Sequence, residues 1–82
     1  MKEDFDVSAS GFTKCFYFRT NTWGIKDKST GKQICSLGGK RVGMDRESLE
    51  LVAIQVMSML DNGDDQAESI RWGKQYLDQQ TE

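Results

Sequence analysis

The chain contains no histidine and no proline, only two cysteines, and no apolar run approaching the roughly 20 residues that cross a bilayer. Without histidine it lacks the commonest general base at neutral pH, the usual partner of a nucleophilic serine or cysteine, and the commonest metal ligand. Lysine or paired carboxylates replace histidine in some enzymes, but no carboxylate pair here lies in an apolar stretch that would raise a pKa. The expectation is a non-enzymatic protein with no catalytic residues, no cofactor and no metal. Cys15 and Cys35 are too few for a disulfide framework and lack metal-ligand spacing, which fits a reducing compartment. The N-terminal Met1-Lys2-Glu3-Asp4 leads into acidic residues rather than a hydrophobic signal core, so a cytoplasmic location and no membrane partner are expected. The lack of proline, of repeats and of low-complexity tracts leaves no linker and no second domain.

What is present is an ordinary globular balance, 37% hydrophobic and 29% charged over 82 residues. A chain of this length buries only about 60% of its unfolded surface, so a partner or self-association would add to a thin margin of stability. The net charge is -2, but its distribution is uneven. Residues 12–46 carry eight cations against Asp27 and Asp45, whereas residues 47–82 carry eight carboxylates against Arg71 and Lys74. A basic half precedes an acidic half, with the seam near Asp45.

Hydrophobic periodicity predicts an α+β fold of order βββαα, a three-stranded antiparallel sheet followed by two helices in a single domain over residues 12–82. Residues 1–11 are either a flexible arm or an edge strand built on Phe5 and Val7. Phe12 to Arg19 is rich in β-formers, with Phe12, Phe16 and Phe18 on one side of the pleat and Cys15 and Tyr17 on the other. Phe16, Phe18 and one of Trp23 or Ile25 are expected inside. Trp23–Lys28 alternates as a second strand, and Ser29-Thr30-Gly31 makes a hairpin loop into a third strand over Lys32–Leu37. Lys40–Met44 is either a fourth strand or an irregular crossing. Asp45 then caps a helix whose Leu49, Val52, Ala53, Val56 and Leu60 share a face, stopped at Asn62-Gly63. Leu51 and Ile54 fall on the far side of that helix and require a cover. The second helix, opened by Asp65 and Glu68 as a capping box and carrying Ala67, Ile70, Gly73, Tyr76 and Leu77 as a stripe, is the nearest candidate. The alternatives are a second copy of the chain or a target protein.

Several motifs have both a functional and an ordinary reading. Asp61–Asp65 is oxygen-rich, but it lacks EF-hand spacing and reads better as a helix stop followed by a cap. Gly38-Gly39-Lys40-Arg41 offers backbone amides beside two cations and so could hold a phosphate, yet it lacks the phosphate-loop pattern and reads first as a turn. Trp72 and Tyr76 are either core margin or an interface anchor. Lys14, Lys26, Lys28 and Lys32 would place cations on the outer face of the sheet, where a β-ribbon can enter a major groove. In strand order the chain is similar to three-stranded-sheet DNA-binding domains such as integrase arm-binding regions; this resemblance implies DNA contact through the sheet, while the acidic helical end and a sequence pI of about 5.1 depart from it.

Two functions follow as expectations. The first is a small accessory or inhibitory protein of the kind phage or mobile-element genomes carry, an expectation drawn from size and simplicity. It would bind a protein target such as nucleic-acid-handling machinery through Glu47, Glu50, Leu51, Ile54, Asp61, Asp64, Asp65, Glu68, Trp72 and Tyr76. The second is a DNA-binding regulatory protein using Lys14, Lys26, Lys28, Lys32, Lys40 and Arg41. A homodimer sealed through Leu51 and Ile54 is a third arrangement.

Overall fold

The computed structural model describes residues 9–80 and has the predicted element order. Strands β1 (Phe12–Tyr17), β2 (Thr22–Asp27) and β3 (Gln33–Gly38) form one antiparallel sheet in the order β1-β2-β3, followed by helices α1 (Arg46–Asp61) and α2 (Gln66–Asp78). The fourth strand considered for residues 40–44 does not form, and that stretch is an irregular crossing. Most of the arm or edge strand envisaged for residues 1–11 lies outside the described residues.

Register explains which side chains meet. Phe16 pairs with Trp23 and Trp23 with Leu37, while Lys14 pairs with Ile25 and Ile25 with Cys35, so these side chains share the sheet face that the helices cover. Trp23, Ile25 and Leu37 pack there against Leu49, Val52, Ala53, Val56 and Met57 of α1 and Leu77 of α2. Both Trp23 and Ile25 are buried, not one of them. Phe18 is not in the core as expected: β1 stops at Tyr17, the chain turns through residues 18–21, and Phe18 is left 77% exposed.

Two glycines permit close approach. A Cβ on Gly73 would sit 2.9 Å from Val56 Cγ2 and 3.3 Å from Leu37 Cδ2, so its absence lets α2 settle against α1 and β3. Gly38, at φ +117°, would place a Cβ 2.6 Å from the Asn21 carbonyl oxygen. The helix starts follow the sequence. Asp65 caps α2 by accepting the Glu68 N–H (3.1 Å). Asp45 stands at the expected N-cap position and its carbonyl accepts the Leu49 N–H (3.1 Å), but, contrary to expectation, its side chain makes no cap bond. Its carboxyl is held below the usual range chiefly by the Ser48 side chain.

Candidate functional site

The acidic residues singled out for partner contact are largely engaged within the fold. Glu50 accepts from Lys14 Nζ at 2.6 Å. Asp61 takes the Ser10 hydroxyl (2.5 Å) on one oxygen and the Gly11 N–H (3.0 Å) on the other, tying the entry to β1 onto the end of α1. Asp65 is occupied as a cap, and Glu68 pairs with Arg71 at 3.3 Å one turn on, an exposed contact of small energetic weight. Glu47 and Asp64 are exposed at the starts of the two helices. Four of the six carboxylates therefore have structural duties, and Asp61 and Glu50 have them across the layers.

The basic set is divided more sharply. Lys14 does not lie on the outer sheet face, as the DNA-binding reading required. It points to the helix side, paired with Glu50 and lying 4.9 Å from the Trp23 ring centroid. Lys26 is half-buried, Lys28 and Lys32 occupy the β2–β3 turn, and Lys40 and Arg41 follow β3 at the opposite end of the sheet. Strands of six residues separate those ends by roughly 17 Å. At the Lys40–Arg41 end, Asn21, at φ 57°, accepts the Gly39 N–H on its carbonyl (2.9 Å) and reaches the Met44 carbonyl with its side-chain amide (3.3 Å). The cleft beside this loop, of about 560 Å³, is lined by Gly38, Gly39, Lys40, Arg41, Val42 and Asp78, so the two cations share it with a carboxylate.

The apolar candidates do converge. α2 does not cover Leu51, which remains 69% exposed because it points almost directly away from the sheet. Leu51 instead lies beside a groove between the helices, of about 410 Å³, lined also by Met44, Ser48, Val52, Gln55, Trp72 and Tyr76. The Trp72 and Tyr76 rings stack at 5.6 Å between centroids, 25° apart in plane, and both remain over a third exposed. Tyr76 and Ala67, assigned to the packing stripe of α2, are therefore on its exposed side, while Ser69, Gly73 and Leu77 make the buried stripe. Ile54 is half-buried and does not line the groove.

Arg46 was missed in the sequence. Its guanidinium lies 4.8 Å from the Phe16 centroid and 5.6 Å from that of Trp23, and its carbonyl accepts the Trp23 indole N–H at 3.0 Å. Nothing in the spacing of Arg46 signals this; only the buried indole's need for an acceptor hints that a helix start lies nearby. A second missed arrangement is on the outer sheet face, where the Tyr17 hydroxyl crosses Gly24 to donate to Gln33 (2.9 Å).

Among the described residues no cluster of His, Cys, Asp or Glu could hold a metal ion. Cys15 is exposed, and Cys35 is half-buried, with its thiol pushed up by desolvation against the opposing influence of Lys74. No helix is long and apolar enough to cross a membrane among the described residues. Compared with protein-family models, curated proteins and solved structures, the chain matches none.

Proposed function

We propose that this chain is a non-enzymatic accessory or inhibitory protein that binds a protein target through its helical layer. The supporting observation is the α1–α2 groove, where Leu51, Trp72 and Tyr76 present an aromatic and aliphatic surface that the fold leaves uncovered. Trp and Tyr are enriched among the few residues that carry interface energy, and a large aliphatic beside them supplies a desolvated seat. Glu47, Asp64 and the Asp65–Glu68 cap place negative charge around the same layer, suited to a basic cleft such as those of nucleic-acid-handling proteins. The test compares cross-linked complexes recovered from the native host with the unmodified chain and with Leu51→Glu. A specific partner held by the first and lost with the second is the expected result; identical recovery of that partner overturns this reading.

The uncovered outer sheet face favours a second reading. Thr13, Cys15 and Ser36 are exposed there, a polar surface able to approach base edges, with Lys28 and Lys32 at one end and Lys40 and Arg41 at the other. A mobility-shift titration at two salt concentrations separates the two. Retention that weakens steeply with salt supports DNA binding, and no retention at low salt removes it.

A further inference from the structure

We propose that the occupant of the α1–α2 groove is the apolar face of a cationic amphipathic helix in a partner protein. This rests on the groove being the contact surface and adds the chemistry of what enters it. After Arg46, helix α1 contains no cation at all, and Arg46 is turned to the sheet side against Phe16 and Trp23. On α2, Arg71 pairs with Glu68, and Lys74 faces β3, lining a cleft with Ser36 and Leu37. Glu47 stands one turn before Leu51, and Asp65 opens α2 two turns before Trp72, while Glu68 and Arg71 balance one another. The groove lining itself holds no charged side chain, so the charge nearest to it along α1 and α2 that no pairing within the helices cancels is that of Glu47 and Asp65.

Shape and charge then agree on the occupant. From Ser48 to Gln55 the groove spans eight residues of α1, about 10 Å or two helical turns. That length seats side chains at i, i+3 or i+4, and i+7 of a docked helix, and a channel between two helices receives such a ridge directly. Lysines or arginines beside the docked stripe would meet Glu47 on the α1 side and Asp65 on the α2 side. A second copy of the chain docked groove to groove would bring these same carboxylates together, which disfavours a homodimer through this face.

The test titrates the full chain with an amphipathic peptide of about 14 residues built from leucine and lysine, and in parallel with its leucine and glutamate counterpart. Tryptophan emission reports on the groove, since Trp72 is 38% exposed and Trp23 only 5%. The expected result is a blue shift with the lysine peptide, affinity about tenfold weaker for the glutamate peptide, and a loss of about tenfold with Leu51→Glu. Because Leu51→Glu adds negative charge while removing the apolar seat, unchanged lysine-peptide binding would mean charge attraction alone and would overturn the proposal. Trp72→Phe should abolish the shift, which assigns it to the groove; a shift that survives Trp72→Phe would mean that the peptide binds elsewhere and would overturn the proposal. Equal binding of both peptides, both lost with Leu51→Glu, removes the cationic partner but leaves the groove as a contact surface. Failure of both peptides, with a host partner indifferent to Leu51→Glu, removes both. Sedimentation showing a dimer that Leu51→Glu dissociates would assign the groove to a second copy instead.

Discussion

The two tryptophans sit in contrasting surroundings. Trp23, on β2, is buried; its N–H is accepted by the Arg46 carbonyl, its ring is tilted against Phe16 at 5.1 Å, and Lys14 and Arg46 bring positive charge to its faces. Trp72, on α2, stacks on its own helix neighbour Tyr76 and borders a groove beside the exposed Leu51. In the first region every unusual residue is matched by another from a different element, as a core requires. The second has aromatic and aliphatic surface without that closure. The difference teaches that this domain completes its core with the inner side of the helices alone, and that the outer apolar residues are surplus to folding.

The largest effects should come from setting the two sides of α1 against each other. Leu49 is fully buried, so Leu49→Ala should destabilise by about 3 kcal/mol, combining lost transfer energy with a cavity. Leu51→Ala, only two residues on, should change stability by no more than about 0.5 kcal/mol. Urea midpoints of the two variants measure this directly, and a comparable loss at Leu51 would break the distinction. Next in size, Gly73→Val should cost about 2 kcal/mol, because its branched carbons would be forced against Val56 and Leu37. A variant as stable as the parent would mean that α2 can move off α1, and the groove with it.

How much of this was legible depends on which residues signal through period and which through partners. The face of Leu49, Val52, Ala53 and Val56 followed from helical spacing, and the hairpin into β3 followed from Ser29-Thr30-Gly31. Met57 was missed because it sits at the flank of that stripe, where only packing decides burial. Phe18 was misplaced because alternation in the sequence runs on past Tyr17, while the turn is set by Asn21 adopting a left-handed backbone and by Gly38, which leaves room for its carbonyl. Lys14 is the instructive error. Period two puts it with Phe12 and Phe16 on the covered face, and the general preference of lysine for water pointed the other way. What reverses that preference is Glu50, 36 residues away in the chain, together with the Trp23 ring, and no local pattern announces either. Of the surface candidates, the surplus of Leu51 was readable from the helix alone, but its meeting with Trp72 and Tyr76 depends on how α2 is rotated.

Lys14 also supplies a sharper test of the region around Trp23. The pair with Glu50 is partly screened, with side-chain exposures of 18% and 32%, so Lys14→Met should cost about 1 kcal/mol at low salt. The gap between parent and variant should narrow as salt rises, because the ion-pair part is screened while the methylene stem is kept. A variant equal to the parent at all ionic strengths would show the pair to be energetically idle, and the completeness claimed for the Trp23 region would lose its electrostatic part.

The smallest effect belongs to the β2–β3 turn, where the sheet region again satisfies its own polar groups. Asp27 accepts the Ser29 hydroxyl at 2.7 Å and the Ser29 N–H at 2.8 Å, and these bonds, the side-chain one first, hold its carboxyl below the usual range. The folded value is the lower one, so the contribution of this clasp is fully present above the ordinary aspartate value of about 3.9 and is lost as pH falls through the depressed one. The Ser29 amide resonance, followed by NMR through an acid titration, should report a midpoint below 3.9, and Asp27→Asn should remove the titration while leaving an oxygen to accept the amide. A midpoint at or above the ordinary value would mean that the turn is open in solution. Lys28 and Lys32 would then lie on an unfixed turn, and the contrast between a closed sheet region and an open helical groove would have to be redrawn at that end of the molecule.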